Sequence, residues 1–137
     1  MVSSRSVSIV IPVYNDPAGI RKTLTSVVPL REFHDISIFA VDNGSTDNTR
    51  EVVRSYTEEY QDVHLLVEDE IQGSYAARNM GIEHAESDVI AFLDANETID
   101  NHWLETALNA MQKQNADYLG CNLELTLPKD TLVGRYN

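Results

Sequence analysis

The chain has 137 residues, 42% of them hydrophobic and 23% charged, and carries one cysteine. That length suits one domain, which buries about two thirds of its unfolded surface and needs no metal or disulfide staple. A lone Cys121 excludes a disulfide framework, and with four scattered histidines it also excludes a zinc-finger module. The net charge of −12 excludes bulk attraction to nucleic acid or anionic membranes, so any anionic ligand needs a local cation, a helix N-terminus or a bound metal. The basic residues are lysine-poor, with only Lys22, Lys113 and Lys129. Such a surface suits a salt-rich cytosol, where self-repulsion is screened, as well as an ordinary acidic protein. No apolar run reaches the roughly 20 residues that span a bilayer. The first residues lack a signal-peptide pattern, so the expected location is the cytoplasm.

Val7–Val13 is β-branched and apolar and predicts a first strand. Pro17–Val28 follows with helical spacing, Ile20, Leu24, Val27 and Val28 sharing one face. Ile36–Val41 predicts a second strand. Thr46–Tyr60 predicts a helix with Val52, Val53 and Tyr56 inward and Ser45 or Thr46 as its N-cap. Val63–Val67 predicts a third strand, Ser74–Ala85 a helix, Asp88–Leu93 a fourth strand, Asn101–Gln114 a helix and Tyr118–Leu125 a fifth strand. Near-continuous apolar strands alternating with helices predict a mostly parallel α/β sheet with helices on both faces, in a single domain over residues 1–137. Trp103 and Leu104 read as core anchors and Cys121 as a buried strand residue.

Ligands of such sheets bind beyond the carboxyl ends of the strands. Those positions hold Tyr14-Asn15-Asp16, Asp42-Asn43-Gly44-Ser45, Glu68-Asp69-Glu70 and Asp94-Ala95-Asn96-Glu97. One aspartate there is usually a helix cap. Several on one rim repel each other unless a cation or hydroxyl groups meet them. No glycine-rich loop follows the first strand, which argues against a dinucleotide fold, a P-loop kinase and a nucleotidyltransferase. Asp94-Ala95-Asn96 also resembles the motif of aspartyl-nucleophile phosphatases, but it follows the wrong strand and lacks the second aspartate. A receiver domain would want acidic residues after the first strand and a lysine at a late strand end. Asp42 is placed to accept from a base N–H, which favours uracil or another imide-bearing base, and Gly44 permits a left-handed turn. Arg78, near the start of a helix at the rim, is a cation for a pyrophosphate or a partner for a rim carboxylate. Tyr14 and Tyr75 are candidates to flank the base.

Four segments carry a family resemblance. Ser8-Ile9-Val10-Ile11-Pro12-Val13-Tyr14-Asn15, Val41-Asp42-Asn43-Gly44-Ser45-Thr46-Asp47, Gly73-Ser74-Tyr75-Ala76-Ala77-Arg78-Asn79-Met80-Gly81 and Phe92-Leu93-Asp94-Ala95-Asn96-Glu97 resemble, in order, the motifs of family 2 inverting glycosyltransferases of GT-A fold. The resemblance runs from about Val7 to Leu125. It implies the Rossmann-like nucleotide-binding half of that fold and a nucleoside diphosphate sugar donor, with UDP expected. It also implies a glycan, lipid or protein acceptor. Donor contacts would come from Pro12, Tyr14, Asn15, Asp42, Gly44, Arg78, Asp94 and Ala95. The family carries Asp-x-Asp where this chain has Asp94-Ala95-Asn96, so the resemblance implies Mn²⁺ or Mg²⁺ near Asn96 and Glu97, with Asn96 a neutral ligand in place of a carboxylate. The family continues past the fifth strand into an acceptor half that holds the catalytic base. No base is assigned among these residues, and the expectation is a donor-binding portion that ends before that half. A nucleotide-binding module without turnover of its own is the alternative.

Overall fold

The computed structural model describes residues 5–115 and the backbone of residues 123–126 and 132–136. Two compact units are present, one over residues 4–101 and a second that begins at His102.

The first unit is an α/β layer structure. Its strands are β1 (Val7–Val13), β2 (Ile36–Asp42), β3 (Val63–Val67) and β4 (Val89–Phe92), and its helices are α1 (Pro17–Val27), α2 (Thr49–Glu59) and α3 (Ser74–His84). A 3₁₀ turn, Val28–Glu32, extends α1. The four strands form an all-parallel sheet in the order β3-β2-β1-β4. The chain builds outward from β1 through β2 to β3 and then crosses back to place β4 on the other flank of β1. The order therefore reverses between β1 and β4.

Register assigns the faces. Val10 lies beside Phe39 on β2 and Phe92 on β4, and Val41 lies beside Leu66 on β3. With the two-residue pleat these side chains share one face. Val10, Val41 and the α3 residue Ala77 form a buried cluster there, with Phe39, Leu66, Met80 and Ile90 around it. The alternate residues Ile9, Ile11, Ile38 and Ala40 are fully buried on the opposite face. α1 and α2 pack against each other, and α2 lies against β2 and β3. Ile20, Leu24 and Val27 of α1, with Val52 and Val53 of α2, turn their apolar stripes inward.

Pro12 sits inside β1 without disrupting it. Val10 O accepts from Leu93 N on the β4 side, and parallel-strand alternation points the Pro12 backbone the same way. β4 pairs only as far as Val10, so the missing N–H falls beyond its end.

Two sequence expectations shift. α2 starts at Thr49 rather than Thr46, and its N-cap position, Asn48, makes no side-chain cap bond. Asp47 Oδ1 accepts from Thr49 N instead, while Ser45 turns its hydroxyl to another loop. The second unit holds α4 (Trp103–Lys113), with Leu104 and Leu108 buried and Trp103 half-buried. It also holds an antiparallel pair, β5 (Leu123–Thr126) and β6 (Leu132–Tyr136). The expected fifth parallel strand is therefore replaced: residues 123–125 pair in a separate two-stranded sheet with a strand the apolar pattern did not predict. Tyr118 to Asn122, including Cys121, lie outside the described residues.

Gly81 gives a test of the α3 packing. A Cβ there would stand 2.4 Å from Val10 Cγ1 and 2.9 Å from Cγ2. Alanine in a helix interior normally gains about 1 kcal/mol over glycine. Here the clash reverses the sign, and Gly81→Ala should destabilise by about 1–3 kcal/mol in chemical denaturation. Adding Val10→Ala should cost less than the sum of the two single changes; strict additivity would place Gly81 out of contact with Val10.

Candidate functional site

The carboxyl ends of the four strands carry three loops and one tight turn, and side chains lace them together. Asn15, after β1, has φ 46°. Its N–H donates to Ser45 Oγ at 2.8 Å, and its Oδ1 accepts from Thr46 N at 2.8 Å. Asp16 N donates to Thr49 Oγ1, while Asp16 Oδ1 caps α1 by accepting from Gly19 N at 2.9 Å. The loops after β1 and β2 are thus joined.

Asn43, nearly fully buried, joins the loops after β2 and β3. Its Nδ2 donates to Glu68 O and Ile71 O, and its Oδ1 accepts from Gly73 N and Gln72 Nε2. Glu68 Oε2 accepts from Glu70 N and Ile71 N, so one carboxylate of the acidic run shapes its own loop.

Asp42 ends β2 with no exposed surface. Its Oδ2 accepts from Gly44 N at 3.2 Å, Ser45 N at 2.9 Å and Arg50 Nε at 2.8 Å. Gly44, at φ 87°, makes the turn that brings those N–H groups round. Asp42 Oδ1 is buried and has no hydrogen-bond partner among the described residues. Burial pushes this carboxyl up, but the Ser45 and Arg50 hydrogen bonds and the Arg50 charge outweigh it and hold the group below its ordinary 3.8. Asp42 is therefore a carboxylate at neutral pH with one committed oxygen and one open acceptor.

β4 runs into a tight turn. Glu97 N donates to Asp94 O, Asp94 N donates to Glu97 Oε1, and Asn96, at φ 79°, donates its N–H to Gly19 O on α1. Asp94 Oδ1 accepts from Arg78 Nη2 at 2.9 Å. Both side chains of that pair are more than a third exposed.

The predicted residues thus fall into distinct groups. Asn15, Asp42 and Gly44 stand in the joined loops beyond β1 and β2. Arg78, Asp94, Ala95, Asn96 and Glu97 stand at the β4 end. The β1 tip lies between them, at the reversal in strand order. Tyr14 and Tyr75 are exposed on the rim, the Tyr75 ring lying against Gly73. Pro12 is buried within β1. Among the described residues no three His, Cys, Asp or Glu side chains cluster as a metal cage. Asp94, Asn96 and Glu97 offer oxygen donors on one turn, which fits a hard divalent cation that takes its other ligands from phosphate and water.

Arg50 and the bridging role of Asn43 escaped sequence reasoning. Arg50 left one signal: a cation in the first turn of a helix opposes the helix dipole and needs a local anion to hold it there. Asn43 left none, because its four partners come from a loop with no regular pattern.

The profile of glycosyl transferase family 2 matches residues 8–135. The chain belongs to this family. Glycosyltransferase AglE of Haloferax volcanii is 39% identical over 136 residues, covering 96% of this chain and 44% of AglE. The Escherichia coli UDP-Glc:α-D-GlcNAc-diphosphoundecaprenol β-1,3-glucosyltransferase WfgD is 28% identical over 95% of this chain and 50% of its own length. The chain thus spans about half or less of these relatives. Among solved structures, the Pyrobaculum calidifontis mannosyltransferase PcManGT in complex with GDP-Man and Mn²⁺ superposes with a TM-score of 0.71 at 25% identity, over 80% of this chain and 33% of that one. The α/β fold with its parallel sheet is that of the GT-A glycosyltransferases. Among the described residues no helix is long and apolar enough to cross a membrane.

Arg50→Met tests the electrostatics of the rim. Because the folded pKa of Asp42 lies below its unfolded value, its ionisation stabilises the fold above about pH 4, and that contribution is lost as pH falls through the folded value. Removing Arg50 leaves a buried carboxylate held by Gly44 and Ser45 alone. Stability near neutral pH should fall by about 1–3 kcal/mol, and the acid limb of a stability-versus-pH curve should move to higher pH. An unmoved limb would detach Arg50 from Asp42.

Proposed function

We propose that the rim binds a nucleoside diphosphate sugar, with UDP as the nucleotide, for inverting transfer of the sugar to a glycan, lipid or protein acceptor in the cytoplasm. The observation that carries this reading is Asp42 Oδ1, a buried acceptor without a partner beside an oxygen that already takes three donors. A buried, unsatisfied carboxylate oxygen costs about 1–3 kcal/mol, which a donor from a ligand would recover. The ring N–H of an imide-bearing base is such a donor.

The single open oxygen also supports uracil over guanine. Uracil presents one N–H between two carbonyls. Guanine presents a ring N–H and an amino group side by side, which a carboxylate meets best with both oxygens. WfgD is named for a UDP-sugar and PcManGT was solved with GDP-Man, so relatives of this chain use both base types.

In this reading Tyr14, Asn15 and Gly44 line the nucleoside side, and Pro12 holds the end of β1 beneath it. Arg78 and Asp94 meet the ribose and diphosphate, and Ala95 leaves room beside them. Asn96 and Glu97 would hold a divalent cation, which supplies charge neutralisation for the departing diphosphate. The Asn96 carboxamide brings no charge, so the ligand rather than the protein provides most of the anionic donors. Attack of an acceptor oxygen forms the glycosidic bond on the face opposite the breaking bond to the diphosphate, and its proton passes to a base. All residues assigned here serve the donor.

Calorimetric titration tests the reading. UDP should bind at least about tenfold tighter than GDP, and Asp42→Asn, which turns an N–H₂ toward the base, should weaken UDP by about 1.5–3 kcal/mol. Equal affinities for UDP and GDP would sink the single-acceptor argument. Arg78→Ala removes a surface ion pair worth about 0–1 kcal/mol, so the melting temperature should hardly move while UDP affinity drops. Mn²⁺ should strengthen UDP binding modestly, and Asn96→Asp should enlarge that effect; an absolute requirement for Mn²⁺ in the unaltered chain would refute the neutral-ligand reading.

A further inference from the structure

α1 carries two adjacent cations, Arg21 and Lys22, on its exposed side. Arg31, Arg50 and Arg78 are each in an ion pair. Among the described residues Arg21 and Lys22 are in none. They line a cleft of about 760 Å³ together with Asp16, Asn96 and Thr98, a volume within the usual range for small-molecule sites. Among the described residues Asp16 is the one carboxylate on its wall, and its Oδ1 accepts from Gly19 N. The Asn96 backbone is tied to Gly19 O, which fixes this wall against α1. In a chain of net charge −12, two unpaired cations side by side on one cleft concentrate the local attraction for anions that the rest of the surface opposes.

Asn96 belongs both to this cleft and to the turn assigned above to the donor diphosphate. We propose that the cleft is a second anion site, which takes the phosphate or diphosphate group of the acceptor while the donor occupies the rim. The proposal rests on the donor reading. Two cations and the amide N–H₂ of Asn96 match the several oxygens of a phosphate group. The position beside Asn96 sets that group next to the point of transfer.

The test is titration of inorganic pyrophosphate, without divalent cation, into the full chain saturated with UDP. One pyrophosphate should bind per chain. Arg21→Ala with Lys22→Ala should weaken it by about tenfold or more, with UDP affinity and melting temperature nearly unchanged. Arg21→Lys with Lys22→Arg, which keeps both charges, should retain binding. No pyrophosphate binding in the presence of UDP, or equal binding by the alanine variant, overturns the proposal. Failure of UDP to bind overturns the donor reading instead, and the same alanine comparison with pyrophosphate alone then still reads the cleft. Co-sedimentation with phosphatidylglycerol vesicles that depends on Arg21 and Lys22, without pyrophosphate binding, would assign the cations to a membrane surface and also overturn it.

Discussion

A carboxylate with no exposed surface, at the end of the second strand, governs the shape of the rim. Placing a charge there costs several kcal/mol unless donors meet it. Asp42 meets that demand with two backbone N–H groups and one guanidinium, all on the same oxygen. To bring the N–H groups round, Gly44 must take a left-handed conformation. To bring the guanidinium, α2 must start close enough for Arg50 in its first turn to reach back. The direction of the loop and the start of the helix both follow from one buried charge.

From that anchor the constraint spreads sideways through uncharged side chains. Ser45 holds the loop after β1 and Asn43 holds the loop after β3. Three connections that are distant in sequence thus become one surface, and few bonds in it depend on an exposed ion pair. The β4 turn is attached to α1 by a backbone bond and by the Thr23 hydroxyl, which donates to Glu97 O, and to α3 by an exposed pair with Arg78. The loops after β1, β2 and β3 therefore hold one another in place. The β4 end keeps an exposed ion pair, Arg78 with Asp94, whose side chains are free to exchange partners.

Most of the fold was legible because its signals are collective. Four apolar strands and three amphipathic helices repeat the same pattern, and an error of a few residues, as at the start of α2, leaves the topology intact. The fifth strand was misread because apolar residues at positions 118–125 satisfy a parallel or an antiparallel strand equally. Periodicity reports burial, not the direction of a partner. At the site, the glycine after Asp42 and the acidic strand ends could be read from residue type alone. The open oxygen of Asp42, which of the rim carboxylates takes Arg78 and the four bonds of Asn43 could not, since each depends on which atoms of two distant segments meet.

Pro12 has a bearing on how the chain survives its own synthesis. β1 is made before the other strands of its sheet, but its flank toward β4 stays open until a strand begun 82 residues later arrives, as the separation of Ser6 from Asp88 shows. At roughly 5–20 residues per second the ribosome needs about 4–16 s to deliver it. Throughout that interval Val7–Val13 is an uncharged, β-branched segment with an unpaired edge, the kind that recruits strands from other chains. The imide nitrogen of Pro12 faces that same flank and offers no hydrogen there. The residue that the finished sheet tolerates at the end of β1 thus shortens the ladder available to a stray strand while the chain is still emerging.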